Sequence, residues 1–463
     1  MTRFALVVAA TSLLAGCASV NPRPAFEDVR KTVADRSKAP PEWSRTPSEA
    51  SAAEQAVAKL LAEPLTANGA VQVAFLNNPT LQATFEEIGI SQADLAQAAR
   101  VANPEISGFV RFPREGSGQN TEFSLVQNVF DVFIQPLRKK VAAAELEQTK
   151  LRVANEVLSV AAEVKEAFFT LQARQQLVER LTLIRHLTET AADFAQQQYE
   201  AGTINELELE TRTVIHRESK VEVALAEAEV RADRERLNRL LGLWGAETAW
   251  TVAGALPEIP ATEIPLDGLE RLAVTSRQDL RAARFGVDLV GRALALRRQT
   301  RFFPVGIHMG VNTEKDVTGE RVTGPELALQ LPIFDTGKAS IARLESEHRR
   351  AQRQLEALAV NARSEVREER DRMLAARDLS LYYGRVLLPQ RQRILALTLQ
   401  HYHAMFKGAY DLLQAKQAEV ETEKAYLDAW RGYWIARARL ARALGGSLPA
   451  EPAAVTDAGQ EGR

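Results

Sequence analysis

Between Phe303 and Phe334 the chain alternates apolar with polar or small residues at a period of two. Val305, Ile307, Met309 and Val311 interleave with Gly306, His308, Gly310 and Asn312; Leu327, Leu329, Leu331 and Ile333 interleave with Glu326, Ala328, Gln330 and Pro332. That pattern predicts two strands with one oily and one polar face. A charged, glycine-containing loop from Asn312 to Gly324 joins them. The eight oily side chains form a lipid-facing set, and His308 on the other face points to a lumen. A weaker hairpin is expected at Glu105 to Phe112 and Thr121 to Phe130, with Ile106, Gly108, Val110 and Phe112 on one face and Phe109 on the other. Neither hairpin is stable alone in water or in lipid, so something must close the sheet.

Elsewhere the period is helical. Helical composition begins at Ala52 and runs to about Phe75; Pro79 then opens a helix capped by Asn78, which ends before Asn103-Pro104. From Pro136 to about Gln198 there is no glycine and no further proline, which predicts a rod on the order of 95 Å. A second helix, Glu206 to Leu241, stops at Gly242. Past a linker holding Pro257, Pro260 and Pro265 the landmarks return about 200 positions on. Ser276 to Leu280 answers Asn77 to Leu81, Phe303-Pro304 answers Asn103-Pro104, and Phe334-Asp335 answers Phe130-Asp131. Tyr402-His403-Ala404 answers Tyr199-Glu200-Ala201, and Ala443-Leu444-Gly445 answers Leu240-Leu241-Gly242. The chain therefore reads as a tandem duplication: residues 52–250, a linker 251–265, and residues 266–446, each half being helix, strand, strand, very long helix, shorter helix. The Pro-, Ala- and Gly-rich residues 447–463 read as a disordered tail.

The only cysteine sits in Met1 to Cys17, where Arg3 precedes an apolar run from Phe4 to Leu14 and then Ala15-Gly16-Cys17. A run this short is a signal-peptide core, too short to span a membrane. Residues 1–16 are expected to be removed, since Leu14 to Cys17 resembles the lipobox of bacterial lipoproteins, in which the cysteine is acylated. Ala18, in place of an aspartate, implies export to the outer membrane. Residues 17–51, with Pro22, Pro24, Pro40, Pro41 and Pro47, read as an extended lipid-anchored tether. The formal net charge of −2 and the interleaved charges of stretches such as Arg363 to Arg372 give no reason to expect nucleic acid as a partner.

Four strands cannot close a membrane barrel, for which about eight is the minimum. Copies must pool strands: two would supply the bare minimum of about eight, and three roughly twelve, enclosing a channel wide enough to pass solute. Several features together resemble the TolC-like outer-membrane efflux channel family over about residues 52–446: the duplication, Asn78-Pro79-Thr80-Leu81, Asn103-Pro104-Glu105, Leu331-Pro332-Ile333-Phe334-Asp335 with Gly337, and Tyr199 to Thr203. The resemblance implies a mostly α fold with a membrane β-barrel contribution: tandem long α-helical hairpins plus two β-hairpins per chain, a homotrimer forming a 12-stranded barrel and an α-helical barrel in the periplasm. It implies a passive duct, anchored through Cys17 in the outer membrane of a Gram-negative bacterium. The duct would dock a periplasmic adaptor protein and an inner-membrane pump of the resistance-nodulation-division type to expel drugs or metal ions. Docking would fall to helical tips at Ala201, Gly202, Thr203, Lys407 and Gly408. The family's periplasmic constriction carries two aspartates; Asp411 matches the first, and Gln414 stands where the second would be. A ring of three Asp411 carboxylates would repel one another and attract cations; the alternative is a solvated helix-start aspartate stabilised by the helix dipole.

No catalytic motif is present, so the chain does not read as an enzyme, and no cofactor is expected beyond the lipid on Cys17. His401 and His403 lie two apart on a helix and diverge, and the six histidines form no metal set. A type I secretion exit duct is the alternative within the channel class. A lipid-anchored coiled-coil envelope protein without a pore is the alternative outside it, and the two hairpins speak against that.

Overall fold

The computed structural model describes residues 20–112, 114, 118–301, 307–329 and 334–449. Cys17, Val305, Leu331 and Ile333 lie outside this set, as does the tail from residue 450. The elements in order are α1 (Arg23–Ser37), α2 (Pro47–Leu61), α3 (Ala67–Asn77), α4 (Pro79–Ala98), β1 (Glu105–Arg111), β2 (Asn120–Asn128), α5 (Phe130–Glu200) and α6 (Glu206–Leu241). They continue as α7 (Leu269–Ser276), α8 (Gln278–Gln299), β3 (Ile307–Lys315), β4 (Arg321–Leu329), α9 (Lys338–Tyr382), α10 (Leu388–His403) and α11 (Ala409–Ala443). Between α9 and α10 a π-helical turn, Tyr383–Leu387, keeps the helix continuous. Its cause is Pro389 just downstream, which has no N–H to donate back and forces the hydrogen-bond ladder to widen by one residue. Each half is thus helix, hairpin, very long helix and shorter helix, and the long helix of the first half has 71 residues.

The duplication is written into the helix junctions. Asn78 caps α4, its Oδ1 accepting the Thr80 and Leu81 amides at 2.8 and 3.1 Å, while its Nδ2 donates to the Leu240 carbonyl at 2.7 Å. Asn77 reaches the Gly242 carbonyl at 2.9 Å. In the second half the Ser276 hydroxyl donates to the Leu444 carbonyl at 2.6 Å, the counterpart of the same knot. In both, a polar side chain at a helix junction satisfies carbonyls that the last helical turn leaves unpaired.

The residues form two compact units that cut across the repeats. One holds the described part of Met1–Val29 with Thr84–Val153 and Gln278–Leu358. It contains the sheet, which runs β1-β2-β3-β4, antiparallel throughout. Its helical part is held by Phe26 edge-on to Phe85 at 5.1 Å and by ion pairs such as Lys150–Asp28 at 2.8 Å. The other unit holds Arg30–Ala83, Ala154–Arg277 and the chain from Ala359 on. Its core gathers Ile264, Leu269, Val366, Met373, Tyr433 and Leu440. Leu65 and Val252 form a parallel bridge there, which ties the proline-rich linker down.

Two expectations need correcting. Residues 23–37 are helical where an extended tether was expected. Pro24 falls in the first turn, where its missing N–H costs nothing, and Phe26, Val29 and Val33 make a stripe at helical spacing that is 1%, 2% and 0% exposed. The loop of the second hairpin is also far shorter than Asn312 to Gly324: pairing continues through Lys315↔Arg321, leaving only residues 316–320 as the turn.

Candidate functional site

The sheet is a plate with two chemically different faces. Register places Met309 beside Gln127 and Leu327, Val311 beside Leu125 and Pro325, and Ile307 beside Leu329. With Ile106, Val110 and Phe123 they form one apolar face, and Met309, Val311, Leu327 and Leu329 are all exposed. Five of the eight lipid-facing candidates, Ile307, Met309, Val311, Leu327 and Leu329, therefore share one face; Val305, Leu331 and Ile333 lie outside the described residues. Leaving so much apolar side chain in water costs on the order of 25 cal/mol per Å².

The opposite face is mainly polar, with Ser107, Arg111, Asn120, Glu122, Ser124, His308, Asn312, Glu314 and Glu326 around Phe109, Val126 and Val322. Glu122 and Glu314 stand directly across from each other, an arrangement that repels. The strain is met locally. Arg111 pairs with Glu122 at 3.0 Å, the Asn312 amide donates to Glu122 at 2.6 Å, and the Asn120 amide donates to Glu314 at 2.5 Å. Ser107 and Ser124 hydroxyls meet at 2.8 Å. Carboxylates outnumber cations on this face, so it favours cations. Gly310 sits where β2 and β3 crowd together, and any Cβ there would run into the Leu125 carbonyl oxygen. Strands β1 and β4 form the two edges, and among the described residues each is paired on its inner side only.

In the other unit, two turns repeat one geometry. After α5, Gly202 adopts φ 72°, and the Thr203 amide donates to the Gln198 carbonyl at 2.9 Å. After α10, Met405 adopts φ 62°, and the Phe406 amide donates to the His401 carbonyl at 2.9 Å. Both are helix ends closed through a left-handed residue. The turns are tied together: the Tyr410 hydroxyl donates to Gln198 Oε1 at 3.0 Å, and the Arg212 guanidinium stacks 3.6 Å from the Tyr410 ring centroid. Sequence reading missed this pair, because cation–π and long-range hydrogen bonds leave no local pattern.

Ala201, Gly202, Thr203, Lys407 and Gly408 are all exposed at these turns. Asp411 is half-exposed and occupied: its Oδ2 accepts the Gly408 amide at 2.9 Å, and its Oδ1 pairs with Lys407 at 3.0 Å. Lys407, and then the Gly408 amide, hold the Asp411 carboxyl below its ordinary value. Gln414, one turn on, is exposed.

The geometry has known counterparts. The chain is 26% identical over 292 residues to the cobalt-zinc-cadmium resistance protein CzcC of Cupriavidus metallidurans. The aligned segment is 60% of this chain and 66% of that protein. The outer membrane channel CmeC of Campylobacter jejuni superposes with a TM-score of 0.71 at 15% identity, over 83% of this chain and 86% of that one. The outer membrane protein VceC of Vibrio cholerae gives 0.67 at 15% identity, over 82% and 96%. The chain has the fold of the TolC-like outer-membrane channels. No protein-family model matches it. Within that fold the four-stranded plate and the paired long helices are the expected parts. Among the described residues no helix is long and apolar enough to cross a membrane.

Proposed function

We propose that the chain is the outer-membrane duct of a tripartite efflux system, a passive conduit and not an enzyme. The observation that carries this reading is the plate itself. It has one exposed apolar face, one polar face rich in carboxylates, and two unpaired edges. An open edge in lipid costs several kcal/mol per unpaired backbone group, so β1 of one copy must meet β4 of another. Three copies pool roughly twelve strands and enclose a water-filled lumen lined by the polar face.

In this reading the acyl group on Cys17 anchors the chain in the outer membrane. The turns around Gly202 and Lys407 dock a periplasmic adaptor, behind which stands an inner-membrane pump of the resistance-nodulation-division type. Asp411 lines the periplasmic constriction, where the Lys407 partner makes each carboxylate a weaker lock than a bare ring would be. The name of the Cupriavidus relative puts divalent metal ions first among cargoes, and the carboxylate-rich face favours them.

The test is electrophoresis of unheated against boiled protein, followed by planar-bilayer recording. A trimer that boils to monomer and a cation-preferring conductance are the expected results, together with sensitivity to cobalt, zinc or cadmium in a strain lacking the gene. A monomer in unheated gels and silent bilayers would sink the duct reading and leave a pore-free envelope protein.

A further inference from the structure

The second unit holds a cavity of about 370 Å³ that the duct does not use. Lys165, Arg437 and Arg442 line it, and no aspartate or glutamate does. Arg437 is already satisfied by Glu263 at 2.6 Å. Among the described residues neither the half-buried Lys165 ammonium nor the exposed Arg442 guanidinium has an ion-pair or hydrogen-bond partner. Lys165 rises from α5 between the buried Leu158, Ala161, Ala162 and Phe169, where burial and the neighbouring Lys38 push its ammonium below the ordinary value. An uncompensated half-buried ammonium is costly and is normally paired. The rest of the lining is largely apolar and aromatic: Phe169 and Trp434 lie 5.4 Å apart, and Leu158 and Leu448 also line the cavity. The Trp434 indole N–H is spent on the Pro257 carbonyl at 2.8 Å, which leaves its ring as a fixed platform.

We propose that this cavity binds a small organic carboxylate, its anionic end held by Lys165 and Arg442 and its apolar or aromatic body laid against Phe169 and Trp434. The volume is that of a small-ligand site, and two cations unpaired among the described residues, set beside an aromatic wall, select an anion over a neutral molecule of the same shape. The same carboxylate chemistry is available from outside or from the chain's own residues 450–463, which contain Glu451, Asp457 and Glu461.

Calorimetric titration of the full-length protein in detergent with benzoate, against neutral benzamide, tests this. Benzoate is expected to bind and benzamide at least about tenfold more weakly, the difference of one charge-assisted hydrogen bond. Lys165→Met should lose about tenfold in benzoate affinity and Lys165→Arg should keep most of it, which a mere packing role for the stem would not produce. Binding that emerges only when the chain is ended at Pro449 supports the site and makes its own carboxylates the occupant. Equal binding of benzoate and benzamide, unchanged affinity in Lys165→Met, or no binding by either chain length overturns the proposal.

Discussion

At the turn after α5 the left-handed position is held by Gly202 and the helix cap by Asn205; at the turn after α10 the same places hold Met405 and Gly408. Three backbone hydrogen bonds recur in both, with one more from the Lys407 amide to the His401 carbonyl in the second, but the residues that make them cheap have moved. Gly202 takes φ 72° without a Cβ in the way, whereas Met405 at φ 62° bears the steric cost of that region. Asn205 accepts the Glu208 amide at 3.0 Å, capping α6 forwards. Gly408 has no side chain to do this, and Asp411 instead reaches back to the Gly408 amide. Each turn keeps one half of the reciprocal capping box. The duplication preserved the hydrogen-bond geometry, which the packing of long helices demands, and let the chemistry drift. The second turn became apolar and exposed, Met405 at 93% and Phe406 at 77%.

The sharpest break in this comparison is Gly202→Val, expected to destabilise the first turn by about 2 kcal/mol, while Met405→Val should cost the second much less because its strain is already present. Hydrogen exchange at the Thr203 and Phe406 amides reads each turn separately. Next in size, Asn205→Ala should lose about 1 kcal/mol of capping, seen as faster exchange at Glu208, and Gly408→Asn should return a few tenths to the second turn. Met405→Gly gives a smaller gain, about 0.5 kcal/mol, since relief of the left-handed strain is partly offset by the entropy of glycine.

Smallest in stability but distinct in pH is Asp411→Asn. Because the folded carboxyl titrates below its ordinary value of 3.8, its contribution is complete above that value and is lost as the pH falls through the lowered one. Protection of the Gly408 amide should therefore hold from neutral pH down to that range and then drop, whereas the asparagine variant should show no such step. In the duct reading the same variant lowers cation preference in bilayer recordings; an unchanged preference would remove Asp411 from the constriction and leave it a helix cap.

Legibility followed period and contrast. Helix α6 was readable because Gly242, at φ 72°, ends it; its cap Asn205 is a finding of the structure. The oily faces of β3 and β4 were readable as far as their contrast lasted. Beyond Asn312 the face that was oily carries Thr313, Lys315, Arg321 and Thr323 while Val322 falls on the other, so the pairing there leaves no period to read. Helix α1 was obscured by its prolines, although Phe26, Val29 and Val33 carried the helical stripe. Asp411 was found by its resemblance to a motif, but its pairing with Lys407 and Gly408 is a matter of rotamer and turn geometry.

The sequence by itself determined the duplication, the two hairpins, the long helices between them and which strand face is oily, because each of these is a local repeat in the order of side chains. Only the tertiary structure decided that the two hairpins, about 200 positions apart, join through β2 and β3 into one plate, since strand pairing is set by backbone groups that every residue carries alike. It alone brought Tyr410 to Gln198 and Arg212, and set Lys165 and Arg442 around one cavity that no carboxylate of the described residues lines. Such contacts join side chains remote in sequence, and no periodicity along the chain records where two helices will meet.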